Sequence, residues 1–358
     1  MNDTRTTQRL AAAPVPALDG PLGDYGKLVV DSERRRIEYH SRFLPGSRDG
    51  DLLAVLAAGI AADEALVGFE PVIVTDIVPV AVQRGLKPLA GVANIIAVAS
   101  AKGGVGKSTT AVNLALALRA LGGRVGMLDA DIYGPSQPRM LGLVGEQPVS
   151  HDGKTLQPLE AFGLSVMSAG FLVDEKQPMV WRGPMVTQAL NQILLQTAWP
   201  NVDYLVVDMP PGTGDIQLTL SQRVPVAGAI IVTTPQDIAL IDARKGLAMF
   251  RKVGIDVLGV VENMGIHICS SCGHEEAIFG SGGAARLASE EGVPVLAQLP
   301  LDAAIQRAAD GGRPSVVAEP DSAISAHYLG LAEQVSIALA KRNVEHAHKF
   351  PNIVVEND

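Results

Sequence analysis

The run Asn94-Ile-Ile-Ala-Val-Ala-Ser100 passes directly into Ala101-Lys102-Gly103-Gly104-Val105-Gly106-Lys107-Ser108-Thr109, and an Ala/Leu-rich stretch then continues to Leu121. A continuous apolar run, a glycine-rich break and a helix-forming stretch predict the strand–loop–helix unit from which parallel sheets are built. Glycines let backbone N–H groups close around phosphates at a helix N-terminus, where the helix dipole favours an anion. The ending Gly-Lys-Ser-Thr is more specific still. Lys107 is placed to reach the β- and γ-phosphates of ATP, and Ser108 offers its hydroxyl to Mg2+. Ala101 through Thr109 is therefore the expected nucleotide-binding segment. It departs from the general pattern in two places: Ala101 replaces the first glycine, and a second lysine, Lys102, follows it.

Further apolar runs recur at Val125 to Leu128, Tyr204 to Val207, Ala229 to Val232 and Val257 to Val261, with helical segments between several of them. Continuous runs of this kind belong to strands covered on both faces. The expectation is a doubly wound, mostly parallel α/β sheet over residues 94–345. Upstream, Lys27 to Val30, Arg36 to Tyr39, Asp51 to Ala65 and Val72 to Val78 read as a small β-β-α-β module within 26–82. Residues 1–25 lack any helical or strand period and read as a flexible leader. Residues 83–93 read as a linker, Ser322 to Lys341 as a final helix, and 346–358 as a tail.

Composition narrows the function. The 358 residues carry a net charge of −9, and no basic run is interleaved with aromatics, so nucleic acid is a poor partner. No stretch has the eighteen apolar residues of a membrane span, and the polar amino terminus is unlike a signal peptide. The reading is a cytoplasmic protein without a membrane partner.

Asp208 ends the run Tyr204-Leu-Val-Val-Asp208, where a Walker B aspartate holds the Mg2+ shell, and Met-Pro-Pro-Gly-Thr-Gly-Asp215 follows as a candidate γ-phosphate switch. Asp129 and Asp131 follow another strand-like run. The two cysteines of the chain, Cys269 and Cys272, form a single Cys-x-x-Cys flanked by His267 and His274. Two thiolates do not complete a tetrahedral sulfur set. The pair can be half of an iron–sulfur site completed by a second copy, part of a zinc site finished by His267 or His274, a redox pair, or inert thiols. A thioredoxin-type role fits poorly, because that motif opens a helix after an early strand. His267 and His274 read as loop residues rather than ligands.

These motifs together resemble the deviant P-loop ATPases, and within them the Mrp/ApbC-type iron–sulfur cluster carriers. The resemblance rests on the loop with Lys102, Asp129-Ala-Asp-Ile-Tyr-Gly-Pro-Ser136, Trp181-Arg-Gly-Pro-Met185, Asp208 to Asp215, Glu262-Asn-Met264, the Cys pair with Gly273, and Phe279-Gly-Ser-Gly-Gly283, all in family order. It implies a homodimer in which Lys102 acts in trans on the partner's phosphates, with Lys107 and Asp131 completing the catalytic set. Asp131 would orient the attacking water, and Asp129 would be a supporting or Mg2+-linked residue. Asn263 would read the adenine edge, and the Leu299-Pro300-Leu301 turn would line the base pocket. Cys269 and Cys272 would hold a [4Fe–4S] cluster across the dimer for delivery to apo iron–sulfur proteins. The Trp181 to Met185 segment would serve the scaffold or the dimer surface. The alternative is a positioning ATPase with structural zinc at the Cys pair. The amino-terminal module resembles an iron–sulfur assembly domain only in its β-β-α-β half: the usual first helix and Asp-Pro-Glu-type motif are missing and it has no cysteine, so it reads as a degenerate copy of that domain.

Overall fold

The computed structural model describes residues 3–349 apart from 17, 84, 173–182 and 270. The chain divides into two compact units: residues 1–81 with 333–358, and residues 82–332.

In the first unit, β1 (Gly26–Asp31) pairs antiparallel with β2 (Arg36–Ser41), which pairs parallel with β3 (Glu70–Thr75). The helix Asp49–Ala61 lies in sequence between β2 and β3 and buries Leu52, Leu56 and Ile60, residues spaced along one helical face. The β-β-α-β order is the one read from the sequence. The flexible leader is not: Asp3–Ala11 is a helix, and Leu10, Val15, Leu22 and Tyr25 are buried in a cluster with Ile37, Tyr39 and Phe43. That helix is polar apart from Leu10 near its end, so no period announces it. It is held by tertiary bonds instead, from Thr6 Oγ1 and Arg9 to the Asp63 carboxylate and from Arg9 to the Gly59 carbonyl. The last helix, Ala323–Lys349, outruns the expected Lys341, and from Glu333 onward it groups with this unit rather than with residues 82–332. Glu333 accepts hydrogen bonds from the Ser47 N–H, the Ser47 hydroxyl and Arg48.

The second unit is built on nine strands among the described residues: β4 (Val92–Ala99), β5 (Val125–Asp129), β6 (Leu159–Ala161), β7 (Leu164–Ser168), β8 (Val202–Asp208), β9 (Gly228–Thr233), β10 (Val257–Ile268), β11 (Glu275–Glu276) and β12 (Val295–Leu301). The sheet runs β6-β7-β5-β8-β4-β9-β10-β12, with β11 forming a hairpin on the end of β10. All pairings in the path are parallel except β6 with β7. Because the chain passes from β4 to β5 on one side and from β8 to β9 on the other, the winding reverses around β4 and β8. Ligands bind such sheets at the carboxyl ends of strands beside that reversal. The apolar-run strands appear as expected, whereas Leu299-Pro300-Leu301 is the end of strand β12 and not a turn. No described helix is long and apolar enough to cross a membrane.

The folded leader yields a test. Leu10→Ala removes a buried anchor, and its expected cost is about 3 kcal/mol, within the range for core Leu-to-Ala changes. A thermal melt should register the loss, and limited proteolysis should cut within the first 25 residues sooner than in the unaltered chain.

Candidate nucleotide and thiol sites

β4 delivers the chain into the glycine loop, and the helix Lys107–Ala120 leaves it. Gly104 and Gly106 take left-handed backbone angles, φ 80° and 81°, which residues with side chains adopt only at a cost. Gly106 is constrained twice. A Cβ there would stand 2.1 Å from Asn263 Nδ2, because that amide crosses to donate to the Val105 carbonyl at 2.9 Å. The loop is also tied at its start: the Ser100 hydroxyl donates to the Lys102 carbonyl, and the Ser100 carbonyl accepts from Gly212 N–H in the segment after Asp208.

Three carboxylates converge on one ammonium. In register, Asp129 at the end of β5 stands opposite Asp208 at the end of β8, and Val98 of β4 stands on the other side of Asp208. Lys107 is buried and donates to Asp208 Oδ1 and, at 3.2 Å, to the Ser108 hydroxyl, with Asp131 Oδ2 at 3.9 Å. Asp129 has no exposure. Its oxygens accept from the backbone N–H groups of Asp131, Ser136 and Gln137 and from the Ser168 hydroxyl. Burial, then the neighbouring Asp208 charge, pushes its carboxyl upward, while the Gln137 and Asp131 N–H groups and Lys107 pull it back. Burial also raises Asp131, against the pull of Lys107 and the N–H groups of Gly134 and Tyr133. Asp129 thus acts as a brace for the loop after β5. Lys102, in contrast, is exposed, and no ion pair or hydrogen bond holds its side chain among the described residues.

The Asn263 arrangement differs from a simple base contact. β10 slips register against β12 between Glu262 and Ile266, and Met264 takes a left-handed φ of 59°. This irregularity is where the Asn263 amide leaves the sheet and reaches the loop. Next to it, buried Glu262 accepts from Ala284 N–H and Gln298 Nε2, so the strand is fastened by two bonds at the start of the slip. β10 then continues to Ile268, and the Cys loop is the tip of its hairpin with β11. Cys269 N–H donates to the His274 carbonyl, and its own carbonyl accepts from Gly273 N–H, with Gly273 at φ 72°. Cys269 is partly exposed and Cys272 exposed. N–H groups of Ser271 and Cys272 directed at the Cys269 sulfur hold its thiol below the usual value. His267 Nδ1 is bound to the Leu301 carbonyl at 3.1 Å, and His274 is exposed. Among the described residues no three His, Cys, Asp or Glu side chains are grouped to hold a metal. One chain therefore offers, among the described residues, two thiols with no third side-chain ligand grouped with them.

Residues 91–336 match the family described as ParA: NUBPL iron-transfer P-loop NTPase. The chain belongs to that family. A relative named iron–sulfur cluster carrier protein from Pseudomonas fragi is 62% identical over 257 residues, covering 72% of this chain and 90% of its own. The protein of the same name from Escherichia coli K12 is 58% identical, covering 70% and 68%, and the mouse iron–sulfur cluster transfer protein NUBPL is 52% identical, covering 70% and 80%. Among solved structures, a nucleotide-binding protein in complex with ADP from Archaeoglobus fulgidus is similar at 36% identity and TM-score 0.57, over 65% of this chain and 90% of that one. The Pyrococcus furiosus cell division ATPase MinD, at 23% identity and TM-score 0.52 over 68% and 98%, shares the fold.

The structure brings Lys107, Ser108, Asp129, Asp131 and Asp208 together and joins Asn263 to their loop. Trp181 and Arg182 lie outside the described residues; Gly183 begins the helix Gly183–Leu195, on which Met185 is exposed. Sequence reasoning missed Gln137, Ser168 and the Ser100–Gly212 tie, since a lone Gln or Ser carries no motif. The loop geometry predicts that Gly106→Ala weakens nucleotide binding at least tenfold, because the methyl group must displace Asn263 and hold a left-handed backbone. Titration with a fluorescent ATP analogue measures this; an affinity within twofold of the unaltered chain would contradict the close approach.

Proposed function

We propose that this chain is an ATP-hydrolysing iron–sulfur cluster carrier that works as a homodimer, holds a [4Fe–4S] cluster between the Cys269/Cys272 pairs of two copies, and passes it to apo-proteins. One observation carries the reading. A single strand, β10, bears the amide that grips the phosphate loop and, at its far end, leads directly into Cys269, the first of two accessible thiols, six residues on from Asn263. Nucleotide state and cargo are thereby joined through a hydrogen-bonded element. Two ligands per chain make half a cluster site, and two-fold symmetry supplies the other half. The names of the similar proteins point the same way, and exposed thiols of this kind would persist in a reducing compartment.

The residues divide the hydrolytic work. Backbone N–H groups of Gly103 to Ser108 cradle the phosphates, and Lys107 exchanges Asp208 for the β- and γ-oxygens. The Ser108 hydroxyl and the Asp208 carboxylate are hard oxygen donors that fit Mg2+, which when bound neutralises charge on the phosphates. Asp131 orients the attacking water and accepts its proton. Lys102, exposed and unheld, reaches the partner's phosphates and offsets the charge that builds there during transfer. Asn263 keeps the loop in register and lies beside the base; whether its amide also reads adenine is tested by comparing ATP with GTP in Asn263→Ala.

Lys102→Ala and Asp131→Asn are expected to keep nucleotide affinity within a few-fold and to lose hydrolysis by roughly 100-fold or more, the usual scale for such groups. Because burial raises the Asp131 carboxyl, its ionised form is lost at a higher pH than an ordinary aspartate's, and the acid-side fall of hydrolysis should lie at a higher pH than an ordinary aspartate would set. Phosphate release measured against pH checks both points, and an acid limb surviving in Asp131→Asn would remove that residue from the role.

Anaerobic reconstitution with iron and sulfide tests the cargo. The expected result is about four irons per dimer and a brown chromophore, with both absent from the Cys269→Ser, Cys272→Ser chain. A double variant that retains the cluster, or a chain that instead takes up one zinc with no chromophore, would overturn the reading.

A further inference from the structure

We propose that Gln137 is a positioning residue for the divalent cation of the nucleotide complex; this rests on the nucleotide-hydrolysing reading above. Gln137 opens the short helix Gln137–Met140 in the loop braced by Asp129 and has no exposure. Its Nε2 donates to Asp208 Oδ2 at 2.9 Å and to the Ser108 carbonyl at 3.1 Å. Both partners are pure acceptors, so the amide nitrogen must be the atom that faces them and the orientation of the side chain is fixed by chemistry. A single carboxamide thus grips the two residues that supply oxygen donors to the cation: Asp208 through its carboxylate and Ser108 through its backbone.

The grip is asymmetric in a useful way. Gln137 takes Oδ2 of Asp208, and Lys107 takes Oδ1. When Lys107 moves to phosphate, Oδ1 is the oxygen released, while Gln137 keeps the carboxylate from rotating. Asp208 then presents a defined lone pair without a search. The second observation is the other end of the amide: Gln137 Oε1 is buried and has no hydrogen-bond partner among the described residues. A buried carbonyl oxygen without a donor is uncommon in a finished site. A water in the shell of a divalent cation is a strong donor and would be a suitable partner for that oxygen. Groups that orient metal ligands from behind in this manner typically change metal affinity 10- to 100-fold when removed.

The test separates the cation from the nucleotide. Binding of a fluorescent ADP analogue to the full chain is titrated once in EDTA and once against rising Mg2+, for the unaltered chain and for Gln137→Met, which keeps the length and removes both amide functions. The expected result is an unchanged affinity in EDTA and a Mg2+ concentration for half-maximal gain raised about tenfold. Gln137→Asn keeps an amide but withdraws it from Asp208, and the same loss is expected there; it serves if the Met variant does not fold. Substituting Mn2+ and following its bound fraction by electron paramagnetic resonance gives a readout independent of nucleotide fluorescence. A Mg2+ half-point within twofold of the unaltered chain, in a variant that binds nucleotide normally in EDTA, would overturn the proposal. If the unaltered chain binds nucleotide in neither condition, the nucleotide reading itself falls and this inference with it, an outcome distinct from the first.

Discussion

The organising constraint in the second unit is the placement of one lysine among three carboxylates. Parallel pairing of β5 and β8 sets Asp129 beside Asp208, and the helix that follows the glycine loop brings Lys107 down onto them. Buried like charges at that spacing repel strongly, and only a compensating cation or dense hydrogen bonding makes them tolerable. Lys107 supplies the first, and the N–H groups of the loop from Asp131 to Gln137 supply the second. The loop's path follows from this need: it folds back across Asp129 because the carboxylate requires its donors.

Such a cluster costs stability and is retained for what it permits. With Lys107 paired internally, the site holds its own counter-ion; under the proposed function a phosphate would compete for it, and the carboxylate left behind would suit a divalent cation. The exchange requires little backbone movement, since the ammonium shifts on its own flexible stem. Fixed dipoles and strand ends do the remaining positioning, as expected for phosphoryl transfer, which relies chiefly on placement and charge.

The sheet and the loop were legible because they depend on local pattern. Val125 to Leu128, Tyr204 to Val207 and Ala229 to Val232 are strands buried on both faces, and such strands appear in sequence as unbroken apolar runs. The glycine loop was equally clear, since Gly104 and Gly106 are required by backbone angle. Other features are set by contacts distant in sequence. The helix Asp3–Ala11 is fixed by Asp63 and by the core around Tyr39, and no period within nine residues could reveal it. β12 ends on Pro300 and Leu301, read as a turn, and β10 runs on past Val261, where its apolar run stops; pairing partners override these signals. Gln137 and Ser168 are chemically quiet residues whose importance lies in where the chain folds. For Asn263 the motif pointed to the nucleotide, whereas the bond it makes is to the loop that would hold it.

The crossing of Asn263 over Gly106 has a consequence for how such a chain can diverge. These two positions are far apart in sequence, yet position 106 cannot gain a side chain while the Asn263 amide stays where it is. A side chain at 106 forces the Asn263 amide aside unless Asn263 has already been shortened, and even then the left-handed backbone admits few residues besides glycine. A lineage that lost Asn263 first would free the Val105 carbonyl without relaxing the loop's need for glycine. The path of change therefore runs in one direction, and the amide on β10 is the member of the pair that must yield first.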